Sequence, residues 1–174
     1  LLGATATASW RSFLKGEAPE EVQRLAAHRM TPVEKVLVLQ QVPIFARITP
    51  EQLLALARIA HLMPVAAGSQ LFGEADRAAI FTLLSGQVRL EQSGVSAVTT
   101  LGVGDTTGVY ETVAGERTGA RAQVIQPGAV LRIDREELFD VLADHTPLQQ
   151  GLFSAMLHAG TAPEAIGMSA ANRT

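Results

Sequence analysis

The spacing of apolar positions changes twice along this chain. Up to Ala60 they recur at helical intervals. From His61 to Ile133 they come in short runs separated by Gly, Pro, Asp and Ser. After Asp134 the helical interval returns. The helical stretches carry their own start signals. Pro19 with Glu20 and Glu21 opens a helix through Val22 and Leu25 to about Arg29, with Pro in the first turn and acids at the positive end. Thr31-Pro32-Val33-Glu34 joins a Thr N-cap, a Pro and a Glu three residues on, and predicts a helix from Val33 to Gln41 that Val42-Pro43-Ile44-Phe45 breaks. Thr49-Pro50-Glu51-Gln52 opens a third helix, with Leu53, Leu54, Leu56, Ala57 and Ile59 on its apolar side.

The short runs are Leu62 to Val65, Gln70 to Phe72, Ala79 to Leu84, Gln87 to Gln92, Val95 to Leu101, Arg121 to Ile125 and Val130 to Ile133. Turns are expected at Ala67-Gly68, Ser85-Gly86, Ser93-Gly94, Gly102 to Asp105 and Pro127-Gly128. About seven or eight short strands at this spacing predict an antiparallel β-sandwich or jelly-roll-like β-roll. Asp134 then caps a helix bearing Leu138, Phe139, Val141 and Leu142, and Thr146-Pro147 starts another through Leu148, Leu152, Phe153, Met156 and Leu157. The fold class is therefore α+β: a β-roll flanked by N-terminal helices and two C-terminal helices. Residues 1–30 read as a lead-in and helix in which Trp10 and Phe13 dock on a neighbour, 31–158 as one domain, and 159–174 as a flexible tail.

Composition narrows the function. With 47% hydrophobic and 18% charged residues, the 174-residue chain can bury a real core. Its net charge of −3, with 12 Arg and 2 Lys dispersed along it, argues against nucleic acid as a partner. Cys is absent, which removes disulfides, thiolate metal sites and Cys nucleophiles. No apolar run approaches the ~20 residues of a membrane span, so direct membrane insertion is not expected. The start at Leu1-Leu2-Gly3 without Met is what a piece of a longer protein, or a processed or trimmed chain, is expected to show.

Several segments, in order, resemble the cyclic-nucleotide-binding domain family. They are Val42-Pro43-Ile44-Phe45 with Thr49 to Leu53, Ala67 to Phe72, Phe81-Thr82-Leu83-Leu84-Ser85-Gly86-Gln87-Val88, Leu101-Gly102-Val103-Gly104-Asp105, and Val130 to Leu138. The similarity covers about residues 33–157 and implies a catabolite-activator-like β-roll. In that family a phosphate-binding cassette begins Gly-Glu and reaches an Arg followed by a small hydroxyl residue and Ala. Its helix and backbone amides attract the cyclic phosphate, the Arg bonds the phosphate oxygens, and the Glu accepts the ribose hydroxyl. On this chain, from Gly104 to Arg121, the Gly is Gly108 and the final Ala is Ala120. The Glu position is Val109, the Arg position Thr118, and the hydroxyl position Gly119. Arg117 and Arg121 are the remaining candidates for phosphate. Arg117 lies one residue out of register, and Arg121 three residues late and on the other face of a strand. The segment Glu74 to Ala79, one residue short of the family's turn, alters the rim as well.

The resemblance implies a non-catalytic regulatory domain of a larger protein, with weak or lost affinity for cyclic nucleotides. Its partners would be the rest of a polypeptide, or another protein, reached through the terminal helices, or a second copy. The implied location is the cytoplasm, including the cytoplasmic side of a membrane protein. No cofactor is implied. The alternative is a working cAMP or cGMP sensor that uses Arg117 or Arg121. A cupin-like metalloenzyme is the remaining alternative, but His28, His61, His145 and His158 lack the i, i+2 pairing such a site needs. Glu111 and Glu116 read as solvated carboxylates, and Tyr110 as packing rather than a purine stack.

Overall fold

The two Thr-Pro signals act as the sequence requires. Glu34 N–H donates to Thr31 Oγ1 at 3.3 Å, and Thr31 N–H donates to Glu34 Oε2 at 2.7 Å. Thr49 and Gln52 close a second capping box with bonds of 3.4 and 3.2 Å. In the computed structural model, which describes residues 30–73, 78–92, 98–115 and 118–160, these boxes start α1 (Pro32–Leu39) and α2 (Pro50–Ile59). A 3₁₀ turn, Pro43–Phe45, lies between them. Lys35 donates to the Ala60 carbonyl at the end of α2, tying the two helices together. The predicted helix at Pro19–Arg29, with Trp10 and Phe13, and the tail from residue 161 lie outside the described residues.

Among the described residues six strands follow: β1 (His61–Val65), β2 (Gln70–Phe72), β3 (Ala79–Gln92), β4 (Val98–Leu101), β5 (Thr106–Thr107) and β6 (Ala120–Asp134). They form one antiparallel sheet in the order β1-β6-β3-β4, with β2 added to β6 and β5 to β3. A short helix α3 (Val109–Ala114) separates β5 from β6, and α4 (Arg135–Asp144) and α5 (Thr146–Gly160) follow the sheet. The molecule is an α+β β-roll with helices before and after it.

The seven expected runs become six strands for a physical reason. Ser85-Gly86 and Pro127-Gly128 are not turns. β3 and β6 stay paired through both sites, while their register shifts between Leu83 and Val88. A Cβ on Gly128 would lie 2.0 Å from the Ser85 carbonyl oxygen, and one on Gly86 (φ +85) would lie 2.6 Å from the Gln126 oxygen. The two glycines let both backbones bend in contact, and Ser85 Oγ accepts the Ala129 N–H at 3.0 Å. Each pair of expected strands is thus one long bent strand. β5 escaped notice because two residues show no period. Asp134 stands at the N-cap of α4 as expected, but its carboxylate accepts from Arg132 Nε at 2.9 Å and Nη2 at 2.5 Å rather than from helix amides.

The alternation of β3 and β6 creates two cores. Ile80, Leu84, Ala129, Leu131 and Ile133 face the helices and pack with Leu39, Leu53, Leu56, Leu138, Leu148 and Leu152. Phe81, Leu83, Val88, Ala122, Val124 and Val130 face the roll interior with Leu71, Phe72 and Leu101. There the Phe72 and Phe81 rings stack at 5.6 Å.

Candidate functional site

The segment Gly104 to Arg121 is held from its first residue. Gly102 N–H donates to Asp105 Oδ2 at 2.7 Å, and the turn docks on β3 through Gly104 N–H to the Leu83 carbonyl (2.8 Å) and Leu83 N–H to the Asp105 carbonyl (2.9 Å). β5 then pairs with Phe81 and Thr82, and the Thr82 and Thr106 hydroxyls meet at 3.1 Å. Gly108 follows at φ +80, and a Cβ there would sit 2.1 Å from the Ala79 carbonyl oxygen. Only Gly allows the chain to turn into α3 against the edge of β3.

α3 presents Val109, Thr112 and Val113 inward, at i, i+3 and i+4. Val109 is 7% exposed and belongs to the helix-side core, not the roll interior. Thr112 is fully buried, and its hydroxyl has no hydrogen-bond partner. Tyr110 stays 39% exposed and joins neither core. Gly115, at φ +73, ends the helix with its N–H on the Glu111 carbonyl at 3.0 Å.

The return path is closed by a polar bond. The Thr118 hydroxyl donates to Glu111 Oε1, joining the residue at the Arg position to the first turn of α3. Glu111 is half-buried in this contact rather than a free loop carboxylate. Gly119 has φ +69, and Ala120 begins β6 packed against the roll core. Arg121 is exposed and stands opposite Glu91 in the register, while its neighbours Ala122 and Val124 are buried in the roll interior. The Arg121 side chain therefore lies on the outer face of the strand. Glu116, Arg117 and the rim at Glu74–Arg77 lie outside the described residues. Gly108 and Val109 at the start of α3 and Thr118, Gly119 and Ala120 leading into β6 are thus brought together by the Glu111–Thr118 bond, and Arg121 does not share their inner face.

Three features of this unit were not legible in the sequence. One is the Glu111–Thr118 bond, another the unpartnered Thr112 hydroxyl. The third is Arg135, which lies outside the cassette yet donates through Nη1 to the Thr112 and Val113 carbonyls. Nearby, His61 Nε2 meets Glu137 Oε2 at 3.0 Å and joins β1 to α4. Among the described residues, no group of three His, Asp or Glu converges as a metal site, and no helix is long and apolar enough to cross a membrane.

This geometry matches a known family. The family described as "Cyclic nucleotide-binding domain" matches residues 62–145, the span from β1 to the end of α4. Residues 62–145 are thus similar to the cyclic-nucleotide-binding domain family. Solved structures similar to the chain share the fold. One is a cyclic nucleotide-binding-like protein from Brucella abortus, 25% identical over 63% of this chain and 98% of that one, with a TM-score of 0.52. Another is the sensor domain of the transcriptional regulator DNR from Pseudomonas aeruginosa, 22% identical over 77% of this chain and 99% of that one, with a TM-score of 0.58. A third is the regulatory domain of Toxoplasma gondii PKA solved with cAMP, 13% identical over 73% of this chain and 50% of that one, with a TM-score of 0.58. No curated protein matches the chain. Within the matched span, Gly104, Gly108, Gly115 and Gly119 all take positive φ. Val109 and Thr118, which the resemblance puts at the ribose and phosphate positions, are an apolar side chain turned into the helix-side core and a hydroxyl bonded to Glu111.

Proposed function

We propose that this cyclic-nucleotide-binding-like domain is a non-catalytic regulatory module of a larger protein, with weak or lost affinity for cyclic nucleotides. One observation carries the reading. Val109 is buried away from the roll and Thr118 is bonded to Glu111, so neither position offers a charged group to a ribose or a phosphate. Hydrogen bonds to charged groups contribute roughly 1.5–3 kcal/mol each. Without two of them, affinity falls by roughly 3–6 kcal/mol, or about two to four decades. The regulatory role is supported by likeness to sensor and regulatory domains, and the helices on either side of the roll are its natural outputs.

Calorimetric titration of the full chain with cAMP and cGMP tests the reading. No heat of binding is expected at micromolar ligand. Low-micromolar binding overturns the lost-affinity reading, and its removal by Arg117→Ala would establish a sensor built on that residue.

A further inference from the structure

We propose that Arg135 is a positioning residue that couples the cassette to the helices following the roll, holding the end of α3 and the start of α4 in one geometry. α3 has six residues, too few to be stable alone, and its last carbonyls need donors from elsewhere. Arg135 Nη1 supplies them, donating to the Thr112 carbonyl and, at 3.3 Å, to that of Val113. A guanidinium charge at the negative end of a helix adds to the attraction.

The placement of this side chain is fixed on three further sides. Its backbone N–H donates to the Ala78 carbonyl at 3.1 Å, which anchors it where β6 passes into α4. Its guanidinium carbon lies 4.5 Å from the centre of the Phe139 ring, one turn along α4. It also fills the space opened by Gly115: a Cβ there would lie 3.0 Å from Nη2 and 3.3 Å from the guanidinium carbon. The backbone bond fixes the base of the side chain and the other two contacts orient its planar group, so α3 cannot shift by the length of a hydrogen bond unless it loses its caps or carries α4 along. α4 shares its core with α5 through Leu138, Leu142, Leu148 and Leu152, so the constraint extends to the last helix. The inference rests on the regulatory reading above. It concerns the ligand-free chain, so a result on nucleotide affinity leaves it standing.

Amide hydrogen exchange on the full chain without nucleotide tests it. Arg135→Ala should speed exchange at Gly115 by about ten-fold or more while the β3–β4 amides stay unchanged. Arg135→Lys, which keeps a donor at the helix end, should recover most of that protection; equal exchange in the two variants overturns the proposal. Transmission is read from Gly115→Ala, whose backbone strain is the same in either background. It should speed exchange in α4 by about five-fold with Arg135 present and by less than about two-fold in Arg135→Ala. Equal effects in both backgrounds would mean that packing of Val109 and Val113 carries the coupling, and Arg135 would lose its role. If Gly115→Ala fails to fold, the comparison of Arg135→Ala with Arg135→Lys decides.

Discussion

The buried hydroxyl of Thr112 is a cost the fold carries without a visible return. It is fully enclosed and unpartnered, and Val has nearly its shape. Thr112→Val should therefore stabilise the domain by about 1 kcal/mol, seen as a higher midpoint in thermal denaturation. Val109 shows the opposite case. Placing the family's Glu there sets a carboxylate among apolar side chains of the helix-side core, so Val109→Glu alone should destabilise by roughly 2–4 kcal/mol and restore no ribose contact. Lys35 gives a pH signature. Partial burial lowers its pKa below the usual 10.5, so just below that pH the unfolded chain binds more protons than the folded one. Stability then rises with pH in that alkaline window. Urea titrations of Lys35→Met and the parent chain should differ in slope there and nowhere near neutrality. Val109 and Thr118 were picked out in the sequence as candidate positions by a frame fixed on both sides. Arg135 was not, because a carbonyl cap 22 residues from Val113 leaves no local spacing to read.

At the scale of elements, the helices were the most legible parts. A Thr, a Pro and an acid or amide at fixed offsets describe bonds within four residues, and both capping boxes formed. The bent strands were less legible, because a Gly that permits a turn and a Gly that permits a close crossing look alike in sequence. Substitution separates them. Gly68→Ala meets no atom within 4 Å and carries only the strain of φ +80, a loss of about 1–2 kcal/mol. Gly128→Ala drives a Cβ to 2.0 Å from the Ser85 oxygen and should cost several-fold more, or abolish folding. Comparing the two in denaturant would distinguish a turn from a crossing directly. Asp134 makes the same point for caps: the residue type was right, but Arg132 two residues earlier competed for its carboxylate.

At the scale of the whole molecule, the helix-side and roll-side cores share β3 and β6, with Leu131 and Val130 facing opposite ways from adjacent positions. Neither core can dissolve while the other keeps both strands. Unfolding should therefore be a single transition, with far-UV circular dichroism and exchange of both cores giving one midpoint. Leu131→Ala, which opens a cavity on the helix side and should cost roughly 2–5 kcal/mol, should lower protection on both faces of the sheet together. Separate midpoints would mean two independent units. The regulatory reading needs this sharing, since a roll that melted alone could not bias the helices behind it.

Gly108 has one more consequence. Its seat against the Ala79 oxygen is demanded by the backbone whether or not anything ever occupies the roll. Drift in a lineage that has abandoned a nucleotide would erase the ribose and phosphate contacts freely, but would be stopped at this glycine by loss of the fold. Among related chains, then, the glycine is a marker of descent that cannot be lost. On the lost-affinity reading proposed above, the positions equivalent to Val109 and Thr118 would be the ones that sort responsive descendants from silent ones.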